Sequence, residues 1–328
     1  MSDSLAFKTD FSDVRRRWDD FWAGRNRCPL LAAVTDKAGT TPVPKPQYAA
    51  GAEGDFGPVI EQTLEWAATH EFLGEALPFY YLEFSSTHFA ALLGGELTFS
   101  GEEPGGWSQP FVGDLERAEL RFRPEGKWWR RTAEFARALR RACDGKLLIA
   151  APTLVANLDA LAAVRGSEEL ALDLVERPAA VHRALRQITD AHREIARALW
   201  ELLDQPRWGS ITRHGMYSSG RINVPQCDYS CMISSPMFEE FVIPSLREEV
   251  ANLDVAEYHL DGPGAIRHLE AVCSLPGIRV IQWQPGAGNA QDADWSWLHR
   301  RIDELGKGQV RGGTPRKVLE DWRGSRGG

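Results

Sequence analysis

The chain has 328 residues, a formal net charge of −8, and 43% hydrophobic and 26% charged residues, a globular balance with room for one large domain or two ordinary ones. The acidic excess argues against partners of the nucleic-acid or anionic-membrane kind, and no stretch approaches the ~18 apolar residues of a membrane span. The five cysteines are widely spaced and the first thirteen residues are acidic and polar, which fits a reduced, cytoplasmic setting.

Apolar residues at helical spacing predict a first helix over 11–22, ended by Gly24. A buried strand is expected at 29–34, then a long Pro/Gly-rich loop over 35–56 of the kind that often carries function. Residues 59–70 read as a helix, 76–84 as a second strand and 87–93 as a short helix; 98–120 mixes turn signals with isolated aromatics. An amphipathic helix is expected over 128–143, a strand at 146–151, and helices at 158–164, 168–176 and 178–203. A strand at 208–213 precedes a helix over 236–253, opened by Ser234-Ser235-Pro236 with serine as cap and proline in the first turn. Then come strand 253–260, helix 263–273, strand 278–283, helix 294–305, strand 309–311 and a last helix from Thr314. The basic runs at Arg15-Arg16-Arg17 and 137–141 lie on helix patterns among acids and read as solvated faces.

Strands alternating with helices predict a parallel sheet, and the spacing is that of βα units in an α/β (β/α)8 TIM barrel with an N-terminal helical extension, as a single domain over 1–328. Seven strands are one short of the ring. The expectation is therefore a barrel lacking its last strand–helix unit, or a partner covering the gap, because an open barrel exposes two sheet edges.

Candidate chemistry collects at expected strand ends. His259 and Asp261, two residues apart on a strand, point the same way and meet a Gly-Pro-Gly break at 262–264. An imidazole and a carboxylate at such a place can ligate zinc, with Cys227, Cys231, Asp228 or His214 as a further ligand, or can act as a metal-free acid/base pair. The bland alternative is a polar pair stitching the strand end to its loop. Arg213, His214 and Tyr217 follow the strand at 208–213 and suit an anionic or aromatic substrate; His214 and Asp228 are candidates for handling protons. Gln282 and Trp283 end the next strand on opposite sides. Trp22, Tyr81, Asn157 and Arg221 are further candidates for contacting substrate. Cys143 and Cys273 lie on helix patterns and read as core.

Several segments, taken as an ordered set, resemble the uroporphyrinogen decarboxylase-like superfamily, which includes the tetrapyrrole decarboxylase and corrinoid-linked methyltransferases. They are Asp20-Phe21-Trp22 with Arg27-Cys28-Pro29-Leu30, Ala91-Leu92-Leu93-Gly94-Gly95-Glu96, Leu158-Asp159-Ala160-Leu161 with Arg165-Gly166, Asp228-Tyr229-Ser230 with Met232-Ile233-Ser234 and Phe238-Glu239-Glu240-Phe241, Tyr258-His259-Leu260-Asp261-Gly262, Ile281-Gln282-Trp283 with Pro285-Gly286, and Gly306-Lys307-Gly308. The resemblance spans roughly residues 14–320. It implies a (β/α)8 barrel with its pocket at the C-terminal strand ends, continued in family members by another strand and helix.

The methyltransferases hold zinc through a His-x-Cys pair and a later Cys. His259-Leu260-Asp261 carries a carboxylate where they carry a thiolate. The decarboxylase grips propionates through an N-terminal Gly-Arg stretch, which residues 25–34 lack. The resemblance thus implies methyl transfer between a small methylated substrate, or a thiol acceptor, and a corrinoid on a partner protein, with zinc at His259 and Asp261. The alternatives are decarboxylation of a tetrapyrrole or smaller acid, with Arg213 or Arg221 on its carboxylates, and an inactive barrel serving as a binding module. A second copy of the chain, as a homodimer, is a further expected partner.

Overall fold

Residues 4–99, 105–291, 293–314 and 316 are described in the computed structural model of the chain. The first helix, α1 (Phe11–Trp22), sets Phe11, Val14, Trp18 and Trp22 on one buried face. Strands β1 (Ala32–Asp36) and β2 (His70–Gly74) flank α2 (Phe56–Thr69). Next come β3 (Phe79–Tyr81), α3 (His88–Leu92), the two-residue strands β4 (Leu97–Thr98) and β5 (Trp107–Ser108), α4 (Lys127–Cys143) and β6 (Leu148–Ala150). Helices α5 (Leu158–Arg165), α6 (Ser167–Glu176), α7 (Pro178–Leu202) and α8 (Gln205–Trp208) lead to β7 (Ser210–Ile211), β8 (Tyr217–Ser218) and β9 (Ile222–Asn223).

Helix α9 (Ser235–Met237), capped by the Ser234 side chain, widens through a π turn at Phe238–Val242 into α10 (Ile243–Ala251). Pro244 has no N–H for the carbonyl one turn back, and the π turn accommodates that loss. The chain continues through β10 (Val255–Asp261), a 3-10 turn at Pro263–His268, α11 (Leu269–Cys273), β11 (Ile278–Gln284), α12 (Ser296–Glu304) and β12 (Gly308–Val310).

The architecture is mixed α/β with parallel sheets. Strands β9, β10, β11 and β12 form one parallel sheet, and β3 pairs parallel with β6. Strand β7 lies beside β6 and β9. Among the described residues the strand pairings do not close into a ring. No helix among them is long and apolar enough to cross a membrane.

Period-two alternation sorts each strand between two environments. Leu148, Ala150, Ile211, Ile222, Val255 and Val280 join Phe11, Trp18 and Trp22 of α1 in an apolar plug under the parallel strands. Each of the Leu, Ile, Val and Phe side chains contributes about 1.5–3 kcal/mol on burial. The indole of Trp22 donates to the Tyr217 carbonyl at 2.7 Å, so α1 closes one end of the strand set. Tyr258, Leu260, Ile281 and Trp283 face the other way, into the larger core under the helices. On the inward face of β10, above Val255, the residues turn polar: Glu257, His259 and Asp261.

Three sequence expectations are corrected. The strand expected at 29–34 forms at Ala32–Asp36 and pairs antiparallel with β2, a strand read as helix end and loop; most of β1 is exposed. Gly74 permits this pairing, because a Cβ there would lie 2.0 Å from the Leu31 carbonyl oxygen. The strand expected at 208–213 shrinks to β7, since Trp208 ends α8 and the chain reverses at Gly215 (φ +85°) to run back as β8. The short strand β9 was unread within its loop and takes a place beside β10. The expected helix from Thr314, and the stretch beyond 319 where the eighth strand is expected to be missing, lie outside the described residues, apart from Thr314 and Arg316.

Candidate functional site

The polar mouth is built on β10 and β11 in parallel register, with His259 opposite Gln282 and Asp261 opposite Gln284. The Gln282 Nε2 donates to the Trp283 carbonyl at 3.2 Å, which turns its Oε1 toward His259 Nδ1. His259 Nδ1–H therefore donates to Gln282 Oε1, and the Nε2 lone pair is left for another partner. Burial, and then the charge of Arg213, lower the His259 pKa to about 4, so the ring is neutral near pH 7.

Asp228 reaches the same place from the 3-10 turn at Asp228–Met232. Asp159, at the start of α5, accepts the backbone N–H groups of Asp228 and Tyr229, each at 2.8 Å. Ligand atoms of Asp228, His259 and Asp261 all lie within 4.8 Å of one another. Asp261 Oδ1 is buried without a hydrogen-bond partner. The Asp228 carboxyl opens to solvent on one side and is crowded by protein on the other. Loss of surrounding water, then the Asp159 and Asp261 charges, push its pKa up to about 7. Burial raises Asp261 as well, against the pull of Arg213. Crowded carboxylates beside a neutral imidazole are a donor set that a divalent cation would relieve.

A second group of residues borders this cluster. His214 Nδ1 lies 2.6 Å from Glu257 Oε1, and Thr212 donates to Glu257 Oε2 at 2.9 Å. Arg213 donates from Nε to His214 Nε2 at 3.2 Å, and from Nη2 to Gln226 Oε1 at 2.8 Å. Gln226 Nε2 passes the link on to Asp228 Oδ2 at 2.9 Å. The His214 and His259 rings are 6.0 Å apart. Tyr81 borders the group through a 2.8 Å bond to Thr153 Oγ1, which also receives Arg213.

The structure thus brings together His259, Asp261, Asp228, His214, Arg213, Gln282 and, at the margin, Tyr81. Others stand elsewhere. Tyr217 is fully buried in the plug with its hydroxyl on the Trp208 carbonyl, because the reversal at Gly215 carries it away from the mouth. Trp22 lies in the same plug. Arg221 is on the outer wall, stacked on Trp200. Trp283 is buried edge-on against Trp295, 4.9 Å between centroids, on the helix side of β11.

Asn157 is buried beneath the mouth, capping α5 and donating to the Gln226 carbonyl at 2.7 Å. Neither cysteine joins the three-residue cluster. Cys227 is buried, and desolvation with the Asp159 and Asp228 charges lifts its thiol well above the ordinary value. Cys231 donates to the Asp261 backbone carbonyl at 3.3 Å.

Glu257, Gln226 and Asp159 are the residues that sequence reasoning left out. Glu257 carried a signal, since alternation from Asp261 through His259 lands on it. Asp159 stood only within the resemblance motif 158–161 and Gln226 carried no signal, because only chain packing brings their helix and loop to the mouth.

No protein-family model matches this chain, and no curated protein sequence matches it. Among solved structures, a methyltransferase from Methanosarcina mazei is similar over 82% of this chain and 75% of its own, at 15% sequence identity and a TM-score of 0.54. At that identity the similarity is one of fold.

Proposed function

We propose that this chain is a methyltransferase built on a uroporphyrinogen decarboxylase-like (β/α)8 barrel, of which β3, β6, β7 and β9–β12 are an arc. The small substrate is a methylated compound or a thiol acceptor, and the methyl group is exchanged with a corrinoid carried by a partner protein. The observation that carries the reading is the cluster of Asp228, His259 and Asp261 at the ends of parallel strands.

The cluster fits a divalent cation by three features of its own. The His259 Nε2 is freed by the Gln282 bond, Asp261 Oδ1 lacks a partner, and three protein ligands would leave a position open for substrate. Zinc, when bound, supplies Lewis acidity toward a thiol or leaving group. Asp228, His259 and Asp261 would hold it, and Gln282 fixes the His259 tautomer. Glu257 orients His214, whose Nε2 takes up or returns the proton of the substrate thiol once the thiol displaces the Arg213 N–H that Nε2 accepts. Arg213, held by His214, Thr153 and Gln226 and by no carboxylate, sets a positive charge beside the carboxylates. The similarity in fold to a methyltransferase supports the same reading.

Purified chain reconstituted with zinc should carry about one equivalent by elemental analysis. It should also demethylate methylcobalamin in the presence of a thiol, followed by the cobalamin absorbance change. A zinc-free protein with no transfer sinks the reading, as does equal transfer by the His259→Ala/Asp261→Ala variant.

One observation favours decarboxylation as a second reading. The Arg213 guanidinium is held by His214, Thr153 and Gln226, none of them a carboxylate, and can still receive a substrate carboxylate. Arg221, on the outer wall, would take no part, and Asp228 or Asp261 would stabilise a cationic intermediate. Carbon dioxide release from a tetracarboxylate tetrapyrrole without added metal is its test. A protein with neither zinc nor either turnover would be a binding module.

A further inference from the structure

Arg221, which the sequence suggested for substrate carboxylates, finds a different setting. A cavity of about 240 Å³ opens on the outer wall between α7, the start of β9 and the end of α10. Leu154 and Leu199 lie on its apolar side, and Arg193, Arg197, Arg221 and Trp200 line its polar side. Among the described residues no carboxylate lines it, in a chain whose net charge is −8.

Arg193 is already paired, at 3.0 Å each, with Asp190 and Glu248. Arg221 lies over the Trp200 ring at 4.8 Å from its centroid. Neither the Arg221 nor the Arg197 guanidinium has a carboxylate partner among the described residues; Asp254 accepts only the Arg221 backbone N–H, at 2.7 Å. Stacking on the indole holds the Arg221 guanidinium by its face, leaving N–H groups at its edge for an acceptor. Like charges converging on one concavity repel each other, and an anion between them removes that repulsion.

We infer that this wall cavity binds a small organic anion, a carboxylate or phosphate monoester with an apolar body. The anionic group sits on Arg197 and Arg221, and the body lies against Leu154 and Leu199. The inference is independent of the reaction proposed for the mouth.

Phenyl phosphate is the probe, with phenol as its neutral counterpart, in calorimetric titrations of the full chain in phosphate-free buffer. The wild type binds phenyl phosphate and not phenol. Arg197→Gln/Arg221→Gln weakens binding by about tenfold or more, while its circular dichroism and thermal melt stay those of the wild type. His259→Ala/Asp261→Ala binds the probe as the wild type does. Three results overturn the inference: no heat with phenyl phosphate, unchanged affinity in Arg197→Gln/Arg221→Gln, or loss of binding in the mouth variant instead.

Discussion

His214 Nδ1 stands 2.6 Å from Oε1 of Glu257, a carboxylate with no exposure to solvent. Thr212 holds the other oxygen, so the carboxylate is satisfied on both sides and the imidazole has one orientation. That orientation points Nε2 toward Arg213 and the mouth. A buried anion kept on these terms is a positioning device, because its loss leaves two polar groups without partners.

Glu257→Gln should therefore fold, yet lower the proposed methyl transfer by about 10–100-fold. Its amide keeps one acceptor for His214 and turns an NH₂ group against Thr212. Glu257→Ala should in addition destabilise the protein by about 2–4 kcal/mol in urea unfolding. Wild-type turnover in Glu257→Gln would show that His214 needs no orienting carboxylate.

The zinc site proposed at Asp228, His259 and Asp261 can be tested independently of the reaction. Asp228→Ala, His259→Ala and Asp261→Ala should each bring zinc content after dialysis from about one equivalent to near zero. Gln282→Leu keeps all three ligands but removes the acceptor of the His259 Nδ1 proton. Competition with a chelator should show zinc affinity lower by about 10–100-fold. Unchanged affinity in Gln282→Leu would mean that the tautomer is set some other way.

Asp159 acts one step further out. Its two oxygens accept the N–H groups of Asp228 and Tyr229. In Asp159→Asn one of those N–H groups meets an NH₂ donor, at a cost of about 1–3 kcal/mol. The turn that carries Asp228 then loosens, and zinc affinity should fall with it. A folded Asp159→Asn protein that binds zinc like the wild type would contradict this role.

Glu249 sets a pH dependence of stability. Burial, opposed by the Asn157 bond, raises its pKa from 4.5 to about 8. Between those values the folded chain holds a proton that the unfolded chain has released. Stability from this group is therefore full below pH about 4.5, falls as pH rises, and levels off above about 8. Glu249→Gln cannot titrate. The difference in unfolding free energy between variant and wild type should grow in favour of the variant across that window. A difference that stays flat from pH 5 to 8 would refute the shift.

Much of the mouth was legible in the chain itself. A strand repeats its facing every second residue, so His259 and Asp261 had to share a side, and so did Gln282 and Gln284; the parallel register then set Gln282 beside His259. The same rule implied Glu257 and the apolar outward positions Tyr258 and Leu260. The cap at Ser234 and the long helix α7 were readable for the same local reason: backbone groups and apolar stripes follow short-range geometry.

What the tertiary structure alone decided is which distant pieces meet. Asp228 sits on a loop, and its place beside His259 depends on Asp159, a residue of another helix. Tyr217 follows a strand in sequence but returns to the plug because Gly215 reverses the chain. Arg221 was an arginine near a strand like Arg213, yet one faces the mouth and the other the outer wall. The segment 29–34 has the apolar composition of a buried barrel strand, yet the strand forms at Ala32–Asp36 and pairs antiparallel with β2, where Gly74 allows the backbones to meet. Periodicity is a property of neighbouring residues. Convergence of carboxylates, and the choice of partner for each strand, are properties of packing between segments far apart in the chain, and no local pattern encodes them.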